Sequence, residues 1–210
     1  MSIKTYDYLV KNYKTNEPIF LYDLKIKGKS ENAIKLDIQK LYKEDKIEKY
    51  DRGIYYLFED NKFGKSSPSL YDIIEKKYLI DNNGFIIGYL TDINFANSIN
   101  LSTQRPTTYF IRSNKATKNV EYKKINDFII TIKKPRTKIT NDNYKVLQLL
   151  DLLTDIYLIE DDYLPNIKNT IKNYMIDNNI KSSDIKKYIN RYPTVIYKNM
   201  FDRGIIDVTI

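Results

Sequence analysis

The chain has 210 residues, enough for two small domains with their own cores, and its 42% apolar and 30% charged content belongs to a folded chain rather than a disordered one. It has no Cys, no His and no Trp, which excludes a disulfide framework, a zinc site of Cys and His ligands, and any Ser–His or Cys–His nucleophile. The net charge of +8 favours a polyanionic partner, although codon bias toward Lys, Asn, Ile and Tyr would supply part of the same excess.

Met1–Asp23 has no basic stretch followed by an apolar run, and no segment approaches the roughly 20 apolar residues of a membrane span, so a cytoplasmic protein is expected. Residues 1–60 are expected to form helix, helix, helix, hairpin. Ser2 can cap a first helix with Ile3, Tyr6, Leu9 and Val10 inward. Asn16-Glu17-Pro18 is expected to open a short second helix, since proline is tolerated in a first turn. Lys25–Lys29 is a turn, and Ser30 caps a third helix reaching about Asp45. Ile47–Tyr50 and Ile54–Phe58 predict two strands joined at Asp51-Arg52-Gly53. This order is that of a winged helix-turn-helix.

The polar stretch Asn61–Ser69 is the expected linker, which divides the chain into a DNA-binding domain, 1–62, and a larger domain, 66–210. Beyond it, Ser69–Leu79 predicts a helix, Asn82-Asn83-Gly84 a turn, and Phe85–Asn97 a helix. Thr107–Arg112 and Asp127–Lys133 predict strands. Asn141 can cap a helix to about Ile156 with Val146, Leu149, Leu150 and Leu153 on one face. Two or three helices follow, one carrying Ile167, Ile171, Tyr174 and Met175, another capped by Ser182 or Ser183 and carrying Ile185, Tyr188 and Ile189. The fold class expected is mixed α+β with a helical C-terminus.

The third helix carries the functional argument. Ile34, Ile38 and Leu41 recur at i, i+4, i+7 and define its buried stripe. Opposite fall Asn32, Leu36, Gln39 and Lys43, flanked by Lys35 and Lys40. Asn and Gln pair bidentately with adenine, Lys reaches guanine or phosphate, and Leu suits a thymine methyl. The N-terminal half of such a helix reads bases, which nominates Asn32, Lys35, Leu36 and Gln39. Lys25, Lys27, Lys29, Ser30, Lys43, Lys49 and Arg52 surround it and are the expected phosphate contacts. The plainer alternative is a solvated helix face on a domain that contacts only protein.

Two other patterns carry less. Gly64-Lys65-Ser66 looks like the end of a phosphate-binding loop, but the required earlier glycine is Glu59. Glu160-Asp161-Asp162, with Asp151 and Asp155 upstream, could hold Mg²⁺ for nuclease chemistry; a solvated helix end before Pro165 explains them more simply. No cofactor or metal is expected, nor an enzymatic activity.

Three segments, in order, resemble the AbiEi-like antitoxins of the AbiE (type IV) toxin–antitoxin systems. Leu41–Tyr56, LYKEDKIEKYDRGIYY, is similar to their helix end and wing. Gly88–Asn114, GYLTDINFANSINLSTQRPTTYFIRSN, resembles their middle signature, though Ser98-Ile99-Asn100 stands where members usually show Gly-Leu. Lys134–Asp155, KPRTKITNDNYKVLQLLDLLTD, resembles their Lys-Pro-Arg segment and Leu-rich helix. The resemblance implies a winged helix-turn-helix followed by an α/β antitoxin domain, repression of the protein's own operon through double-stranded operator DNA, and neutralisation of a nucleotidyltransferase-like toxin in abortive infection. A homodimer on that DNA is a further expectation, since paired half-sites are read by paired heads. The basic stretch of residues 66–138, net +6 and including Arg105, Arg112, Lys133, Lys134 and Arg136, is the expected surface for that toxin or its nucleic-acid substrate. A winged-helix transcription factor whose second domain senses a small ligand is the alternative.

Overall fold

The computed structural model describes residues 2–104, 106–159 and 161–209, and it is mixed α+β. The chain divides into two compact units, Met1–Lys77 and Tyr78–Ile210. No helix among the described residues is long and apolar enough to cross a membrane.

In the first unit, α1 (Ser2–Asn12) is followed by a two-residue strand β1 (Ile19–Phe20) and a 3-10 turn, Leu21–Asp23. Then come α2 (Glu31–Lys43) and the antiparallel strands β2 (Glu48–Asp51) and β3 (Ile54–Tyr56). The strand order is β1-β3-β2. The expected second helix is therefore replaced by β1 and a single tight turn. The cause is tertiary: Ile19 and Phe20 pair with Tyr55 and Ile54, and the Asn16 N–H donates to the Leu57 carbonyl at 2.8 Å. β-Branched and aromatic residues at 19–20 suit that pairing better than a helix.

Leu9, Ile19, Leu24, Ile34, Ile38, Leu41, Ile47, Tyr55 and Leu57 form one core, so the stripe expected on the third helix is buried as read. Val10 faces solvent instead; buried Thr5 takes its place on α1, donating to Asp37 of α2 at 2.6 Å. Asn61–Ser69 is not an open linker. Its first half forms a hairpin, β4 (Asp60–Asn61) and β5 (Gly64–Lys65), which is tied back to the unit. Lys65 pairs with Asp45 and with Glu48 (2.6 Å), and the Ser66 hydroxyl donates to Asn16 at 2.8 Å. A capping box of Ser69 and Asp72 then starts α3 (Leu70–Ile74), which continues as a π turn through Leu79.

The second unit holds a four-stranded sheet of β6 (Gly88–Leu90), β7 (Thr108–Ser113), β8 (Val120–Ile125) and β9 (Phe128–Lys133), ordered β6-β7-β9-β8. β7 and β9 run parallel and the other neighbours antiparallel. Phe85–Asn97 is thus split: its centre is a strand, and only Asp92–Ser98 is helical (α4). Gly88 explains the strand. A Cβ there would meet the carbonyl oxygens of Tyr78 and Arg112 at 2.3 and 2.8 Å, so the backbone runs against its neighbours where only glycine fits.

The core of this unit surrounds α5 (Tyr144–Thr154), with α6 (Ile167–Asp177), α7 (Ser182–Ile189), α8 (Val195–Asp202) and α9 (Ile206–Thr209) completing the helical layer. α5 is buried on every side, Leu147 and Leu152 as deeply as the expected stripe, because α4, β6, α7 and α8 all touch it. Its N-cap position is Asn143, not Asn141; the Asn141 side chain accepts from the Ile86 N–H at 2.7 Å. α7 starts at Ser182 itself, and Asp184 accepts from the Lys181 N–H at 2.9 Å.

Candidate nucleic-acid interface

Ser30 ends the turn that leads into α2 and its hydroxyl accepts from the Ala33 N–H at 3.2 Å, which satisfies one of the orphan donors of the first turn. With Ile34, Ile38 and Leu41 locked in the core, helical periodicity leaves Asn32, Lys35, Leu36, Gln39, Lys40 and Lys43 exposed along one outward face. Leu36, two-thirds exposed at 66%, is a large apolar side chain in the middle of it. The hairpin turn at Arg52-Gly53 meets the N-terminal end of this face. Gly53 has φ 76°, the left-handed conformation such a turn requires, and its carbonyl accepts from the Leu21 N–H at 2.9 Å. Asn32, Lys35 and Arg52 consequently line one cleft, floored by Leu21, Leu24 and Ile34. Tyr22, also on its wall, is 63% exposed, although its place in the largely apolar run Ile19–Leu24 reads as core rather than surface in the sequence.

Lys25, Lys27 and Ser30 border a second cleft at the same helix end. Lys49 and Lys43 are exposed on β2 and on the last turn of α2. Lys29 departs from its expected role. Its ammonium pairs with Asp37 and donates to Thr5 Oγ1 at 2.6 Å, with only 11% of its side chain exposed, so it fastens α1 to α2. Burial raises the Asp37 carboxyl, but the hydrogen bonds from Lys29 and Thr5 overcome this and hold it below the usual carboxylate range.

In the second unit the expected basic surface does not form as one patch. Arg112 is buried. Its Nε donates to Asp151 Oδ2 at 2.6 Å and its Nη1 to the Lys134 carbonyl at 2.8 Å, while the Tyr89 hydroxyl donates to the same Oδ2 at 2.7 Å. Burial works against the Arg112 charge, yet the adjacent Asp151 keeps the guanidinium firmly protonated. Lys133 pairs with Asp92 at 2.5 Å. Arg136 lies 3.9 Å from Asp151 Oδ1 and stacks on Tyr192 at 5.0 Å. Of the expected set, Lys134 and Arg136 are exposed, and Arg105 lies outside the described residues. A run of cations in sequence did not reveal that three of them answer carboxylates on α4 and α5.

The acidic cluster is dispersed as well. Asp151 is committed to Arg112 and Tyr89, Asp155 is partly buried, and Glu160 lies outside the described residues. Gly64-Lys65-Ser66 lies at the β4–β5 hairpin, where the Lys65 ammonium pairs with Asp45 and Glu48. No family model, curated protein or solved structure matches the chain.

Proposed function

We propose that this chain is a DNA-binding regulator whose first unit works as a winged helix-turn-helix with the 3-10 turn Leu21–Asp23 in place of the helix before α2, and that it serves as the antitoxin of an AbiE-type pair, repressing its own operon and countering a nucleotidyltransferase-like toxin. The observation that carries the DNA-binding part is the outward face of α2. It presents Asn32, Lys35, Leu36, Gln39 and Lys43 with no core role, beside the Arg52 turn. This is a helix of the width a major groove admits, with amide, cationic and apolar side chains suited to base edges and a hairpin placed to reach the flanking groove. The antitoxin part rests on the three family-like segments. They fall on the end of α2 with the β2–β3 hairpin, on β6–α4–β7, and on α5 with its approach.

The test is a gel shift of the full chain on the DNA upstream of its own gene against random duplex, joined to growth rescue on co-expression with the adjacent reading frame. Asn32→Ala or Gln39→Ala is expected to cost about 1–3 kcal/mol on the cognate site and little on random DNA. Equal losses on both would remove base reading from α2. Failure to restore growth, with DNA binding intact, would leave a regulator without an antitoxin role.

A further inference from the structure

We propose that the open half of the β6–β9 sheet binds single-stranded nucleic acid. This surface belongs to the second unit alone and is independent of duplex reading by α2.

The register defines the surface. Phe110 of β7 stands opposite Thr131 of β9, which stands opposite Tyr122 of β8. One row along, Thr108, Ile129 and Lys124 stand opposite each other; one row the other way are Arg112, Lys133 and Val120. Residues two apart on a strand share a face, so these nine share one. At the Arg112 end that face is closed, because Arg112 reaches Asp151 on α5. Away from it the face opens along its outer rows: Tyr122 is 73% exposed, Ile129 50% and Val120 43%, with Phe110 half-buried and Thr131, between the rings, buried.

Between the two rings sits Thr131, a small side chain. Two strand spacings separate Phe110 from Tyr122, about 10 Å, which lets two unstacked bases of one strand each find a ring. The charge is arranged to match. Lys124 lies in the row beside the rings, and the Lys133 ammonium is 5.8 Å from the Phe110 ring centre. Exposed Lys118 and Lys134 stand at the Val120 end, where the Lys134 N–H donates to the Asn119 carbonyl at 3.0 Å. Two of the carboxylates nearby are already occupied. Asp92 pairs with Lys133, and Glu121 points to the other face, where it accepts from Thr117 and Lys118; Asp127 at the hairpin turn lies 3.7 Å from Lys124 with both side chains exposed, a contact weak enough for Lys124 to exchange for a phosphate. An aromatic row bracketed by lysines is the arrangement that stacks bases and follows a phosphate backbone without reading sequence. A duplex hides its bases from such a surface. A second copy pairing along the β8 edge would bring exposed Lys123 and Lys124 against their own mates.

The experiment is fluorescence anisotropy of the full chain with labelled dT20 and rU20, at several salt concentrations, beside a random duplex. Tyr122→Ala should weaken single-strand binding about 10-fold and Lys124→Ala should lower its salt dependence, with duplex affinity unchanged. Phe128→Ala, on the opposite face of the same hairpin, should change nothing. Tyr122 is exposed, so an unaltered thermal melt will confirm that the variant folds. No binding of either oligomer at low salt overturns the proposal. So does equal weakening by Tyr122→Ala and Phe128→Ala, or a concentration-dependent dimer that Tyr122→Ala dissolves.

Discussion

Lys25, Lys27 and Lys29 lie two apart in one turn and look equivalent in sequence, but the structure gives them different work. Lys25 and Lys27 are exposed, whereas Lys29 is held by Asp37 and Thr5. Replacing Lys25, Lys27, Lys49 or Arg52 by Ala should weaken binding alike on all duplex sequences and lower the salt slope by about 1 each. Lys29→Ala should instead cost stability. The pH dependence follows from Asp37. Its carboxyl is lowered in the folded chain, so it contributes stability that is present above its unfolded value of about 3.9 and lost as pH falls through the folded one. The gap in urea midpoint between the wild type and Asp37→Asn should be widest near neutrality and should narrow below about pH 4. A gap that is constant with pH would show that the pair is not linked to folding. The Arg112–Asp151 pair is the counterpart in the second unit. Arg112→Leu strands a buried carboxylate and should cost about 3–5 kcal/mol, and adding Asp151→Leu should restore much of it. A double variant no better than the single would contradict that account.

At the scale of elements, what the sequence made legible was what local periodicity controls. The stripes on α2 and α6 and the strands β7 and β9 are seen as expected. What stayed hidden was decided by partners distant in the chain. β1 exists because Ile54 and Tyr55 are there to pair with it. β8 is not legible in the sequence because four of its six residues are exposed and Lys123-Lys124 interrupts its apolar alternation, as an edge strand allows. The site divides the same way. The outward face of α2 was readable from spacing alone, while the burial of Lys29 and Arg112 needed Asp37 and Asp151 to be brought beside them. β6 offers a sharp test, since its place depends on a missing side chain. Gly88→Ala should cost about 3 kcal/mol, because the atoms in the way are backbone. Gly84→Ala, in open space at φ 81°, should cost only the left-handed penalty of about 1–2 kcal/mol. Equal thermal melts for the two variants would mean that the close approach at Gly88 does not constrain the strand.

For the whole molecule, the position of the boundary decides which fragments can stand alone. Composition suggests a break at 62–66, where polar residues and Gly64 cluster, but a polar stretch can be folded when its side chains have partners. Here they do. Lys65 bridges Asp45 and Glu48 and lies over the Phe58 ring at 4.3 Å, and Ser66 joins Glu59 to Asn16. Further on, Lys76 pairs with Glu17 at 2.6 Å and lies over Tyr13, and Lys77 lies over Phe20 at 5.7 Å. Each exposed ion pair is worth little alone, about 0–1 kcal/mol, but together they hold a hairpin and a capped helix on a small core that has no disulfide to support it. Ending the first unit at residue 62 cuts between β4 and β5 and removes all of them. Residues 1–77 should therefore melt cooperatively and shift duplex DNA, while residues 1–62 should melt at a lower temperature with a broader transition and bind more weakly, though the outward face of α2 is complete in both. The measurement is circular dichroism melting of the two fragments with a gel shift on the same duplex. Equal midpoints would show that the hairpin and α3 contribute nothing to the first unit and would return the boundary to the polar stretch.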